Sequence, residues 1–210
     1  MRSVSEPSVQ DAPEEEPSFI EAARRKQIIE CAIQAIAEVG FGGASLAEIA
    51  KRARVSKGVI SYYFDGKDDL IRQVVAAVYL EGASFMIPRL EGATTARERL
   101  RAYITANVDF MATHREHVIA VNEIVWAFRN ADGSSKLDTG GLDSVQSDLE
   151  TLLAWGQERG EFRAFSTDSM AFAIRAAIDM LPPLVSRGVE VDLERYGAEL
   201  ADLYDRATKA

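Results

Sequence analysis

Only Arg54 and Val55 lie between two short segments of helical apolar spacing, and no other feature of the sequence narrows the fold so far. In the first segment Leu46, Ile49, Ala50 and Ala53 share one face. Ser45 precedes it and Glu48 follows three residues on, the pattern of a capping box. Ser56 is the N-cap of the second segment, which runs from Lys57 to about Tyr63 and breaks at Asp65-Gly66. Upstream, Ile28, Ile29, Ala32, Ile33, Ile36 and Val39 mark one face of a longer helix, with Gly40 as its C-cap. Two short helices on a tight turn, braced by a longer one, form a tri-helical helix-turn-helix. Its second short helix can enter the major groove of DNA, which is wide enough to admit it. The rival reading of the same spacing is three ordinary packed helices with scattered surface charge.

From Lys67 the helical period continues through Leu70, Val74, Val75, Val78 and Tyr79 toward Phe85. Five more helices are expected at about 94–112, 115–129, 142–159, 166–186 and 192–208. The longest break between them is the Asn130–Gly141 loop. Pro182-Pro183 should end or kink the helix that contains it. No segment shows the two-residue alternation of a half-buried strand. The expected fold is all-α with about nine helices. It divides into an acidic, disordered tail over 1–18, a helix-turn-helix domain over 19–66 and a helical C-terminal domain over 67–210.

Net charge is −9, which argues at first against a nucleic-acid partner. The distribution reverses that argument. Residues 19–75 carry nine Lys or Arg against seven Asp or Glu, a local excess of +2, while 1–18 sum to −4 and 76–210 to −7. Phosphate affinity follows local charge, not the total. The single cysteine, Cys31, allows no intrachain disulfide and no cysteine-based metal site. The N-terminus has no apolar stretch of a secretory signal, and no apolar run approaches the ~20 residues that span a bilayer. The expectation is a cytoplasmic protein with no membrane partner.

The outward positions of the third helix suit DNA. Lys57 stands at its start, Gly58 permits close approach, and Val59, Ser61 and Tyr62 are the base-edge candidates, with Ile60 and Phe64 directed inward. Lys57, Tyr63 and Lys67 are expected on phosphates, with Ser45 adding a contact through its cap. Arg24, Arg25 and Lys26 read first as a solvated face. From Arg25 to Leu70 the chain resembles the TetR family of one-component regulators. The matching residues are Arg25-x-x-Ile28, Ala32, Glu38-x-Gly40-Phe41, Ser45-Leu46-x-Glu48-Ile49-Ala50, Ala53-x-Val55-Ser56-x-Gly58 and Tyr63-Phe64-x-x-Lys67-x-x-Leu70. The run Val59–Phe64 is most similar to the BetI-like branch. The resemblance implies an N-terminal DNA-binding domain and a C-terminal ligand-binding and dimerisation domain. It further implies a repressor released from a palindromic, double-stranded operator by a small molecule. Two positions depart from the family pattern. Arg54 stands where glycine is usual, at a cost of about 1 kcal/mol if φ is positive, and Ser61 stands where an aromatic is common.

In the C-terminal half, the 166–186 helix is apolar nearly all round and the 192–208 helix carries a stripe of Leu193, Tyr196, Leu200, Leu203 and Tyr204. These two are the expected homodimer interface. A largely apolar effector is expected among Phe85, Phe110, Met111, Trp126, Trp155 and Phe172, oriented by Asn122, Arg175 and Asp179. His114-Arg115-Glu116-His117 holds the only two histidines but lacks the His-Glu-x-x-His spacing of a zinc site. No catalytic motif is present, so no enzyme activity, cofactor or metal is expected. Two other readings stand beside the repressor: a helical protein–protein adaptor without operator binding, and a ligand-dependent activator.

Overall fold

Serine or threonine caps open five of the described helices, and the left-handed Gly160 and Gly188 lie just beyond the ends of two. The computed structural model describes residues 18–137 and 140–210, with every side chain among them except those of 140–144. The tail expected over 1–18 therefore falls, Ser18 apart, outside the described residues. In order the helices are α1 (Phe19–Gly43), α2 (Leu46–Ala53), α3 (Lys57–Tyr63), α4 (Gly66–Glu91), α5 (Ala96–Thr113), α6 (Arg115–Ala127), α7 (Gly140–Glu158), α8 (Thr167–Asp179), α9 (Leu181–Ser186) and α10 (Leu193–Thr208). α8 and α9 meet at Met180 just ahead of Pro182-Pro183, so they are the two arms of the one kinked helix expected there. The described residues contain no strand, only two isolated bridges.

Gly40, at φ 72° and ψ 166°, takes α1 out of helical space, and one further turn leads into Ala44. Full capping boxes form at Ser18–Glu21 and Thr95–Glu98. The box expected at Ser45–Glu48 is only half made. Ser45 Oγ accepts from the Glu48 N–H at 3.1 Å, but the Glu48 carboxylate takes Arg52 Nε at 2.8 Å instead of the cap N–H. An arginine one turn on offers a charge-assisted bond, which is stronger than a neutral one. The Ser45 N–H goes to the Gly43 carbonyl at 2.8 Å. Val39, expected on the buried face of α1, is 46% exposed, and its side chain lies over Gly43 of the last turn, where an added Cβ would come within 3.1 Å.

Two cores result. The first gathers Ile28, Ile33 and Ile36 of α1, Ile49 of α2, Ile60 of α3, Leu70, Ile71 and Val74 of α4, and Ile124 of α6. It runs through the boundary expected at residue 66, because the first half of α4 and much of α6 belong to it. The second joins α5, α7, α8 and α10 through Leu100, Ile104, Leu149, Leu153, Ile174, Ile178 and Leu200. Phe110 touches both. The chain end is sewn into the second core. Arg163 N–H donates to the Thr208 carbonyl at 2.9 Å, and Arg97 holds Asp205 through two bonds of 2.9 and 2.7 Å.

Two helical stretches, Gly66–Glu91 and Thr167–Ser186, are long and apolar enough to cross a membrane by length and composition. This corrects the expectation that no run approaches that length, since alanines and a few tolerated charges extend the apolar windows. Each places one face in a core: Leu70, Ile71 and Val74 in α4, and Ala171, Ile174 and Ile178 in α8. In the expected loop after α6, Arg129 bridges to Ser135, and Lys136 reaches Asp68 at 2.7 Å.

Candidate nucleic-acid interface

Backbone bonds close the turn between α2 and α3, and the Gln27 side chain of α1 adds a bond to the Ala53 carbonyl at 3.2 Å. Arg54 caps α2 at φ 54° and ψ 42°, the only described non-glycine residue at positive φ. That conformation costs an L-residue about 1 kcal/mol. It aims the Val55 N–H back at the Ala50 carbonyl, 3.0 Å away, and sets the Val55 side chain against the first core. Ser56 then caps α3, its hydroxyl accepting from the Val59 N–H at 3.3 Å.

Ile60 and Phe64, 1% and 2% exposed, pin α3 from beneath. Lys57, Gly58, Ser61 and Tyr62 are left facing solvent, with Ser45 and Arg54 exposed beside them. Tyr62 is 73% exposed, and its hydroxyl donates to Glu21 at 3.3 Å. The Ser18 backbone and side chain, followed by this tyrosine, hold the Glu21 carboxyl below its ordinary value. Val59, expected to point outward, is half-buried and packs on the first core, and Tyr63 does the same. A seven-residue helix seated on Ile60 and Phe64 presents too wide an inward arc to leave their neighbours free.

Lys67 is not a free cation in this conformation. Its Nζ donates to the Phe41 carbonyl at 3.1 Å and lies 4.5 Å from the centre of the Phe41 ring. Burial draws its pKa down. Arg25, read from the sequence as part of a solvated face, is a structural clamp. Its guanidinium donates to the Tyr63 carbonyl and to Gln73 Oε1 at 2.9 Å, and it lies over the Phe64 ring at 5.0 Å. Gln73 donates in turn to both carboxylate oxygens of Asp69, and Asp69 accepts from the Asp65 N–H. The end of α3 is thereby tied to the first turns of α4.

The effector candidates separate into groups. Phe85 and Phe110 meet edge to face, with ring centres 5.7 Å apart, and His114 stacks on Phe110 at 4.3 Å. Arg175 donates to Tyr103 Oη at 2.9 Å and to Asn107 Oδ1 at 3.3 Å, and it pairs with Asp179. Burial pushes the Tyr103 and Tyr79 hydroxyls up, and the charge of Asp179 adds to the second shift. Tyr79, Tyr103, Arg175 and Asp179 thus gather α4, α5 and α8 about one polar spot. Sequence reading placed Tyr79 only on the helical period after Lys67 and did not single out Tyr103. Met111 is buried in the second core, and Asn122 donates to Ser186 at 3.1 Å, tying α6 to α9. Trp155 is half-buried, flanked by the guanidiniums of Arg99 and Arg159. Trp126 and Phe172, expected at a pocket, are 65% and 71% exposed and face outward. Each lies on the face of its helix opposite the buried stripe. On α10, Leu193, Tyr196, Leu200 and Tyr204 face the chain's own core, so only Leu203 of that stripe is exposed, at 58%.

Residues 28–74 match the model of bacterial regulatory proteins of the tetR family. Over 87 residues the chain is 40% identical to the HTH-type transcriptional regulator BetI 1 of Chromohalobacter salexigens, covering 41% of this chain and 43% of that protein. The chain therefore matches less than half the length of this curated relative. Among solved structures, the regulator FadR of Bacillus subtilis in complex with stearoyl-CoA superposes with a TM-score of 0.75 at 24% identity, over 85% of this chain and 96% of that one. AibR in complex with isovaleryl coenzyme A and operator DNA superposes with a TM-score of 0.71 at 18% identity, over 86% and 97%. At these identities the structural likeness establishes the fold.

Proposed function

We propose that this chain, a tetR-family protein by its DNA-binding domain, is a homodimeric regulator of transcription that leaves a palindromic operator when a small molecule binds. The carrying observation is the outer face of α3. Lys57, Gly58, Ser61 and Tyr62 are exposed together on a helix whose other face is anchored by Ile60 and Phe64. In this reading Tyr62 and Ser61 meet base edges, while Lys57, Ser45, Tyr63 and Arg54 meet phosphates. Lys67 joins them only after leaving the Phe41 carbonyl. Val59 contributes its outer edge, and Gly58 lets the backbone approach.

The dimer is assigned to α8 and α9, with the outer edge of α10. Phe172 on α8 and Met180 at its junction with α9 are 71% and 59% exposed, with Ala173 and Ala176 exposed between them. A second copy would cover this face and set two α3 helices about 34–36 Å apart, one helical turn of DNA. The effector is assigned to the space bounded by α4, α5 and α8, where Tyr79, Tyr103, Asn107, Arg175 and Asp179 converge. Two superposable regulators hold coenzyme A thioesters, so acyl-CoA thioesters are the first ligands to screen. The chain acts on cytoplasmic DNA and catalyses nothing.

The test is selection of bound duplexes from a randomised DNA library with the full chain, followed by a salt titration of the winner. The expected result is an enriched palindrome whose affinity falls steeply with salt, with Lys57→Ala lowering the salt slope by about 1. Absence of any enriched sequence would replace the regulator with the helical adaptor.

A further inference from the structure

The two histidines set aside in the sequence reading lie where the reading head meets the rest of the chain. His117 Nε2 is 3.0 Å from Glu81 Oε2 on α4 and 3.7 Å from Glu30 Oε2 on α1. His114 Nε2 is 3.6 Å from the other Glu81 oxygen. Both rings are largely enclosed, with side chains 13% and 23% exposed. Thr113 Oγ1 lies 2.8 Å from His114 Nδ1, and Phe110 stacks on the same ring. Each of the Glu81 oxygens thus faces its own imidazole, and one imidazole is shared by carboxylates from two helices.

Among the described residues no three such groups surround a common point as metal ligands would. What the arrangement binds directly is protons. We propose that His114 and His117 form a proton-operated clamp between α1, α4 and α6. Imidazole is the side chain whose ordinary charge change falls between pH 5 and 8. Below that change, two imidazolium ions balance Glu30 and Glu81. With neutral imidazoles the two carboxylates, each about half exposed, lose that balance and the join between α1 and α4 is weakened. The described charged groups in contact with the rings are Glu30 from α1 and Glu81 from α4. α5 contributes Phe110 and Thr113, and Arg115 of α6 turns away to the Val185 carbonyl at 3.1 Å. Acidification therefore tightens the join of α1 to α4 and α6 at this point, and rising pH loosens it without parting the shared core.

The effect on DNA rests on the regulator reading above, so the experiment has one arm that needs no DNA. In the first arm, unfolding of the full chain is followed at pH 6.0 and 8.0 for wild type, His117→Gln, Glu30→Gln and the double variant. The expected coupling between the two positions is present at pH 6.0 and vanishes at pH 8.0. Equal coupling at both values would overturn the clamp, leaving His117 a neutral hydrogen-bond donor. Coupling is read as a difference between variants that fold, and the milder Glu81→Gln replaces any that does not. In the second arm, affinity for the selected duplex is measured at the same two pH values. The expected pH dependence in wild type is at least threefold steeper than in His117→Gln. Identical dependence, with coupling intact in the first arm, would separate the clamp from operator binding and overturn its regulatory role alone. A chain that selects no duplex fails the regulator reading and leaves the first arm standing.

Discussion

Around α2 and α3 the chain is shaped mostly by bonds between residues three to five positions apart, whereas around α5 and α10 it is held by bonds that span half its length. Ser45 to Glu48, Ser56 to Val59 and Val55 to Ala50 are of the first kind. Arg97 to Asp205 is of the second, 108 positions apart. The first kind leaves a signature in consecutive letters. The second leaves none, because an arginine on α5 reads the same whether or not an aspartate waits on α10. Both regions bury branched aliphatic side chains completely, so their difference lies in how the packing is aligned and not in what is packed.

Core deletions in each region test this first and most heavily. Phe64→Ala in the first core and Phe162→Ala in the second should each lower stability by about 3–5 kcal/mol, read by denaturant unfolding. If the Phe64 change left the second core's protection in hydrogen exchange untouched, the two cores would unfold separately. A common loss of protection would make them one cooperative unit through Phe110. Next in size is Gly156→Val. A Cβ on Gly156 would lie 2.1 Å from the Phe162 ring, so the ring must leave its seat. The expected loss is about 1–3 kcal/mol, confined to the second core. A neutral substitution would mean that Phe162 is not wedged there.

The long-range bonds can be probed by acid. Bonding from Arg97 holds the Asp205 carboxyl below its ordinary value. A carboxylate lowered by folding stabilises the fold above its unfolded pKa, about 3.9, and that contribution is lost as pH falls through the folded value. Arg97→Met should therefore flatten the pH dependence of unfolding below about pH 4 and leave the slope above pH 6 unchanged. An unchanged acid limb would remove the pair from the account of the second region. The smallest effect is expected at the turn. Arg54→Gly relieves a left-handed arginine and should shift stability by no more than about 1 kcal/mol, upward. A concurrent fall of about 1 in the salt slope of duplex binding would assign the arginine to a phosphate.

The same contrast explains what could be read without the structure. The helix-turn-helix, its caps and the inward Ile60 and Phe64 follow from spacing alone. The Ser45–Glu48 box was half right because Arg52 competes for the carboxylate, and no spacing rule weighs that competition. Arg25 looked solvated because its acceptors, Tyr63 and Gln73, are 38 and 48 positions away. Trp126 and Phe172 looked like pocket residues because composition says that an aromatic seeks cover but not whether its own chain supplies it. The cover that α8 lacks has to come from elsewhere, and a second copy is the proposed source.

The Arg25–Gln73–Asp69 linkage makes α3 and α4 a key welded to its shaft. α4 has 26 residues, so the shaft is about 39 Å long. From Tyr79, 13 residues or about 20 Å along it, a tilt of about 10° carries the key through about 3.4 Å, the rise of one base pair. A disturbance near Tyr79 or Asp179 far too small to unpack either core is thus geometrically sufficient to put the recognition helix out of step with its half-site.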